Sequence, residues 1–388
     1  MMMQWSDTQL ALHRRFQALG REIADMGARQ AFDAERWHRL REAGLWETLG
    51  QREGHPSSWW NFTAALEGLA QTVRSPALLL SAIAQAGMVR GLQRHGSEAL
   101  KERYLPALAR GELCATGIAE PGTGTDVRST ASTLTPCAGG YRLTGSKYNI
   151  AHAPMAAFSL IVCRHADAPE AVGLVFVDQD APGLVIGPSD RKLGNSDLPT
   201  GSMEFHDIFI PHAQVLGDPR RGLRQLIDII SLGRAYYGLV AAHLVAPFLD
   251  DALGYARMRH SFREPIIDHQ YVQRRLTDIR IGMERSRWTA LGAVGKLLNE
   301  EPDALLACSV AKLVGSEDLI KSALDLVRLY GSRGYHEGPV AGLMRDALGF
   351  ASVGGTEEMH RKNIFNQMTR PAPVQSGSHA AVAPAVPA

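Results

Sequence analysis

The sequence predicts a mainly α-helical fold with one β domain set between two helical ones. Three observations carry that expectation. Apolar residues recur at helical spacing up to about residue 112 and again beyond Pro219. Between them lies a Gly- and Thr-rich stretch with short β-branched runs bounded by turn residues. The 388 residues are 45% hydrophobic and 21% charged, a composition able to bury a core along most of its length.

Taken in order, Ser6 with Gln9 forms a capping box ahead of Leu10, Leu12, Phe16, Leu19 and Ile23, which share one helical face. Asp33 caps a second helix carrying Trp37 and Leu40, and Gly44 closes it. Residues 76–94 read as a third helix, apolar on most sides. The runs 158–163 and 173–177 read as strands, and 203–210 alternates at period two until Pro211. Long helices are expected over 231–258, 270–298, 302–330 and 356–368. The expected division is an N-terminal helical domain over 1–112, a β domain over 113–218, a C-terminal helical domain over 219–370 and a disordered Pro/Ala-rich tail over 371–388.

Composition excludes some functions. Lys and Arg number 41 against 40 Asp and Glu, a formal net charge of +1, which disfavours nucleic-acid binding. The cysteines, Cys114, Cys137, Cys163 and Cys308, stand far apart without CxxC spacing, so neither a disulfide framework nor a metal site is expected. The N-terminal residues show no basic segment followed by an apolar run, and the apolar stretch 77–89 is too short to cross a bilayer, so a soluble cytoplasmic protein without a membrane partner is expected. GxGxxG, GxxxxGK[ST], HExxH and GxSxG are all absent as working motifs.

A series of spaced segments remains: GIAEPGTGTD (117–126), GYRLTGSKYNIAH (140–152), KLG (192–194), FHDIFIP (205–211), YARMRHSF (255–262) followed by HQYVQ (269–273), GSRGY (331–335), RD (345–346) and GTEE (355–358). In that order they resemble the acyl-CoA dehydrogenase family, over about residues 6–368. The resemblance implies a helical domain, a β-barrel-like middle domain and a C-terminal four-helix bundle, assembled as a homodimer or homotetramer around FAD. It also implies an acyl thioester substrate, carried on CoA or on an acyl carrier protein.

Carried over by position, the resemblance places Arg259 and Phe262 at the diphosphate and adenine of a partner subunit's FAD, where a planar guanidinium suits a diphosphate. Thr125 would donate its hydroxyl to the same diphosphate, and Gln270, Ser332, Thr356 and Glu358 would close the adenosine side. Ile118, Ala119, Asn149 and Ala151 fall on the strands that face the flavin ring, and Arg328 stands where the family has a glutamine near the adenine.

The sequence departs from the family where the chemistry is done. The usual reaction removes the α-proton of the acyl group with a glutamate while flavin takes hydride from the β-carbon. One version of the family places that glutamate just before the Gly-Thr of the last motif, here Gly354; the other places it before an arginine of the first C-terminal helix, here Gly233 before Arg234. An aromatic residue has become Asn149, a hydroxyl Ala151, a threonine Ala119 and a glycine Arg263. Three readings follow. The chain is a FAD-dependent oxidoreductase acting on an acyl thioester in secondary metabolism, with His152, Tyr236 or Tyr237 as replacement proton carriers; or it performs a non-oxidative step on such a thioester; or it is a non-catalytic partner subunit.

Overall fold

The computed structural model describes residues 5–24, 31–50, 55–123 and 126–369. Five helices come first: α1 (Asp7–Ala24), α2 (Ala34–Glu42), α3 (Pro56–Ala70), α4 (Pro76–His95) and α5 (Glu98–Ala109). The capping box forms in both directions, with Ser6 N donating to Gln9 Oε1 at 3.0 Å and Gln9 N to Ser6 Oγ at 3.3 Å. Asp33 Oδ1 accepts from the amides of Glu35 and Arg36, and Gly44, at φ +73°, turns the chain after α2. α4 is buried along nearly its whole length, as its apolar composition requires.

The middle segment is a seven-stranded sheet ordered β1 (Cys114–Gly117), β4 (Phe158–His165), β2 (Thr133–Cys137), β3 (Gly140–Ala151), β7 (Thr200–Pro211) and β6 (Leu184–Ile186), with β5 (Val172–Asp178) on the other edge of β4. β1 and β2 pair in succession, both parallel, along one edge of β4. β4 and β5 read as unbroken apolar runs because both faces are covered. Phe158, Leu160, Val162, Leu174 and Phe176 face a core shared with the helices, and the alternate residues Ile161, Cys163, Val175 and Val177 face a second core under β3 and β7.

The chain then returns to helix: α6 (Gly222–Leu244), α7 (Ala246–Met258), α8 (Gln270–Leu298), α9 (Ala304–Tyr330), α10 (Ser332–Tyr335), α11 (Pro339–Gly349) and α12 (Glu357–Met368). The single helix expected over 231–258 is two helices that meet at Val245, because Pro247 lacks the amide needed to continue the ladder. The segment Gly222–Met258 is apolar enough to cross a membrane by composition, which the reading of 77–89 alone overlooked; 83% of its most apolar window lies inside the protein. α6 and α9 cross in backbone contact. A Cβ on Gly238 would lie 2.5 Å from Ala311 O, and one on Gly315 2.6 Å from Gly238 Cα, so both crossing points require glycine.

A buried carboxylate that the sequence patterns did not single out ties the first and last helical parts together. Glu67 on α3 is fully buried; it accepts from Arg287 Nε at 2.6 Å and Nη2 at 3.1 Å, and faces His243 Nε2 at 2.9 Å. Burial alone would raise its pKa, but these hydrogen bonds outweigh that and hold the carboxyl at about 2.

Candidate functional site

The loop after β1 is fastened by a second buried ion pair. Glu120 accepts from Lys147 Nζ at 2.7 Å, Ser132 N at 2.9 Å, Ser132 Oγ at 2.6 Å, Ala131 N at 2.5 Å and the Thr130 hydroxyl. Lys147 also donates to Ile118 O at 3.1 Å, and Ala119 O accepts from Tyr148 N. Burial opposes ionisation of Glu120, and the donors around it win, holding the group at about 2. The backbone of Ile118 and Ala119 is thereby fixed beside the end of β3. There the pairing with β7 shifts register between Lys147 and Ile150, and Asn149 adopts φ +51° with its side chain exposed. Ile118, Ala119, Asn149 and half-buried Ala151 thus present a surface of modest side chains, without a carboxylate, at one end of the sheet. Thr125 lies outside the described residues.

His152 follows directly and turns away from that surface. It is 1% exposed, with Nδ1 3.1 Å from Cys114 O and Nε2 2.8 Å from Ser81 Oγ. A carbonyl only accepts, so Nδ1 carries the proton and Nε2 accepts from the serine hydroxyl. Burial lowers the ring's pKa to about 4, and it stays neutral. The expectation that His152 carries protons gives way to a structural role: it locks α4 to the sheet. Tyr236 is likewise a packing residue, with its hydroxyl 3.0 Å from Thr63 Oγ1 and its ring against Phe62.

Tyr237 is placed differently. The turn between α11 and α12 is held by α9, where Lys312 Nζ donates to Ala351 O at 3.2 Å and Ser316 Oγ to Phe350 O at 3.0 Å. At its end Gly354 and Gly355 take φ +68° and +116°, and the Gly354 carbonyl accepts from Arg234 Nε at 3.3 Å and faces His360 Nε2 at 3.2 Å. A Cβ on Gly354 would lie 2.6 Å from Cε2 and 2.7 Å from Cδ2 of Tyr237; one on Gly233 would sit 3.5 Å from Ile83 and 3.8 Å from the same Tyr237 ring. The two glycines, 121 residues apart by number (354 minus 233), border one tyrosine.

The surroundings are cationic. Arg234 and Lys312 are 6% and 1% exposed, and neither pairs with a carboxylate among the described residues. Burial, then the neighbouring Arg234, lowers Lys312 to about 8, and burial, then Arg234 and Lys312, lowers His360 to about 3. Burial pushes the Tyr237 phenol up to about 12, so it remains a neutral donor. Its hydroxyl has no hydrogen-bond partner among the described residues.

The remaining sequence-selected residues lie on the outside of the C-terminal helices. Arg259 ends α7, and Phe262 and Arg263 form the tip of a tight hairpin at φ +50° and +72°; the Phe262 ring is 90% exposed. Gln270 begins α8, Ser332 begins α10, and both are exposed. Arg328, on α9, borders a small charged pocket in which Arg274, Arg275 and Lys321 stand with Asp278 and Asp325. Thr356 caps α12 through Met359 N at 3.4 Å, and Glu358 is exposed beside it. Thr356 and Glu358 follow directly on the Gly354 turn, whereas Arg259, Phe262, Gln270, Ser332 and Arg328 lie on other elements. An apolar cavity of about 400 Å³ bounded by Trp46, Val89, Leu105 and Leu108 touches none of these residues.

Comparison with known proteins gives consistent results over this whole length. Residues 12–112, 115–208 and 220–369 match, in turn, the N-terminal, middle and C-terminal domains of acyl-CoA dehydrogenase. The chain is 28% identical over 311 residues to cyclohexane-1-carbonyl-CoA dehydrogenase of Geobacter metallireducens, covering 79% of this chain and 81% of that protein. It is 29% identical over 310 residues to the L-prolyl-[peptidyl-carrier protein] dehydrogenase of a Serratia species, covering 78% and 80%. Its fold superposes on the FAD complex of PigA with a TM-score of 0.88 at 24% identity, covering 95% and 99%.

Proposed function

The chain belongs to the acyl-CoA dehydrogenase family, and from that premise we propose that it is a FAD-dependent oxidoreductase acting on an acyl thioester outside standard fatty-acid β-oxidation. The observation that carries this reading is the pair of glycines at the proposed base positions, both bordering Tyr237. Relatives named for both a CoA thioester and a carrier-protein thioester leave either carrier open and support the substrate class.

The residues present fit the cofactor. Phe262 is a large aromatic ring held out in solvent on a left-handed backbone, a conformation that costs about 1–3 kcal/mol and favours a site built for contact. Arg259 beside it makes no ion pair with the described residues, leaving its guanidinium available to a diphosphate. These two would serve a partner subunit's FAD, so a homodimer or homotetramer belongs to the reading. Gln270, Ser332, Arg328, Thr356 and Glu358 would flank the adenosine, and Ile118, Ala119, Asn149 and Ala151 would back the flavin ring. When bound, FAD supplies hydride acceptance. The chain's own groups hold and exclude: the Glu120–Lys147 pair fixes the loop backbone, and the Tyr237 ring fills the space from which a glutamate would reach the α-proton.

With no carboxylate there, the substrate must lose its proton without a strong protein base. A second, redox-silent reading, a non-oxidative step on the thioester or a non-catalytic partner subunit, is favoured by the same two glycines. The visible absorption spectrum of the purified protein decides between them. A flavin band retained after FAD addition and gel filtration, bleached anaerobically by an acyl thioester, is expected; no band at all would overturn the oxidoreductase reading.

A further inference from the structure

The Gly354 turn gathers two buried cations, neither of which forms an ion pair with a carboxylate among the described residues. Arg234 and Lys312 are buried, and among the described residues their side chains donate to uncharged acceptors: Gly354 O and Met359 Sδ for the arginine, Ala351 O for the lysine. The acidic groups that act on Lys312 are Glu357 and Glu358, both exposed on α12. His360, the other titratable group on the turn, is fully buried with Nδ1 unpartnered. Two cations without an anion inside a protein are costly; a buried lysine can relieve that cost by losing its proton, but an arginine stays charged and is relieved by an anion. Donors also remain: Arg234 Nη1 and the Tyr237 hydroxyl have no partner among the described residues. Both flank Gly354, whose added Cβ would come 3.9 Å from Arg234 Cγ and 2.6 Å from Tyr237 Cε2.

We infer that Arg234 and Tyr237 form an anion-binding subsite that selects an acyl thioester carrying its own carboxylate on or next to the α-carbon. The inference rests on the proposed acyl-thioester reading, because only that reading brings the α-carbon to the glycines. The remaining guanidinium nitrogen, Arg234 Nη1, supplies one charge-assisted hydrogen bond to a carboxylate, and the phenol adds a second donor. Such a substrate supplies the negative charge that the two glycines removed. Arg234 and Tyr237 are therefore specificity residues.

The test is calorimetric titration of the holoprotein at pH 6.5 with malonyl-CoA and with acetoacetyl-CoA, which differ by one carboxylate oxygen against a methyl group. Malonyl-CoA is expected to bind about tenfold or more tightly, the worth of one charge-assisted hydrogen bond. That preference should disappear in Arg234→Gln, survive in part in Arg234→Lys, and shrink in Tyr237→Phe, which needs no change in buried charge to fold. Equal or tighter binding of acetoacetyl-CoA overturns the inference and leaves the oxidoreductase reading standing. A preference unchanged in Arg234→Gln and Tyr237→Phe overturns it as well. Absence of flavin in the protein overturns the oxidoreductase reading instead, and the same titration on the flavin-free protein still reads the carboxylate preference.

Discussion

Alanine at Gly354 should destabilise the protein while alanine at Gly233 should not, although both glycines border Tyr237. At Gly354 the backbone sits at φ +68°, where an L-residue costs about 1–2 kcal/mol. Its Cβ would also meet the Tyr237 ring at 2.6 and 2.7 Å, well inside van der Waals contact, and overpacking of this kind costs about 1–3 kcal/mol. The sum is about 2–5 kcal/mol. Gly233 lies in the interior of α6 and meets its nearest atom, on Ile83, at 3.5 Å, an ordinary contact. Alanine there removes the helix penalty of glycine and gains up to about 1 kcal/mol. Urea unfolding followed by circular dichroism measures both, and a separation of about 2–6 kcal/mol is expected. Adding Tyr237→Ala to Gly354→Ala should recover the steric part, giving a coupling of about 1–3 kcal/mol. A Gly354→Ala protein within about 0.5 kcal/mol of wild type, or no coupling with Tyr237, would refute the claim that this ring fills the empty position.

The same geometry ranks the two ways of restoring a base: Gly233→Glu should fold and acquire measurable acyl-CoA dehydrogenation, whereas Gly354→Glu should fold poorly unless Tyr237 is also reduced, as an electron-acceptor assay on both variants will register. Glu67→Gln leaves His243 and Arg287 facing a neutral group and should cost about 3–5 kcal/mol in the same unfolding assay. Glu67's folded-state pKa of about 2 lies below its ordinary 4.5, so its contribution is present above pH 4.5 and is lost as pH falls toward 2; a wild-type acid-unfolding midpoint unmoved by Glu67→Gln would contradict this. Arg259→Ala and Phe262→Ala should each raise the FAD dissociation constant about tenfold, by fluorescence titration, without shifting the unfolding midpoint, since both side chains are exposed. Cys137 should react with a thiol reagent at the rate of a free thiol, while Cys114 and Cys163, whose thiols burial raises to about 12, and buried Cys308 react only on unfolding.

Local chemistry made much of this architecture legible in advance. The Ser6–Gln9 box, the Asp33 cap, the turn at Gly44 and the end of β7 at Pro211 all rest on contacts within a few residues, and each forms as the sequence implies. Where a local rule was passed over, the expectation failed locally: Pro247 divides the helix expected over 231–258. The site was legible only as a set of positions. Both glycines could be read as an absent base, but His152 next to the flavin-facing strand read as a proton carrier until its bonds to Ser81 and Cys114 appeared. Nothing around Ser81, 71 positions earlier, marks it as the partner of that ring.

The sequence by itself determined the order of helices and strands and the family frame, and it supplied the proposal that Gly233 and Gly354 stand at base positions, because periodicity, caps and side-chain identity are properties of neighbouring residues. Only the tertiary structure decided what borders those two glycines. Tyr237 meets Gly354 across more than a hundred residues (354 minus 237 is 117), and Arg234 and Lys312 come from different helices to the same turn. Burial among those particular neighbours keeps the phenol neutral and leaves the cations unpaired, and burial is a property of the packed chain.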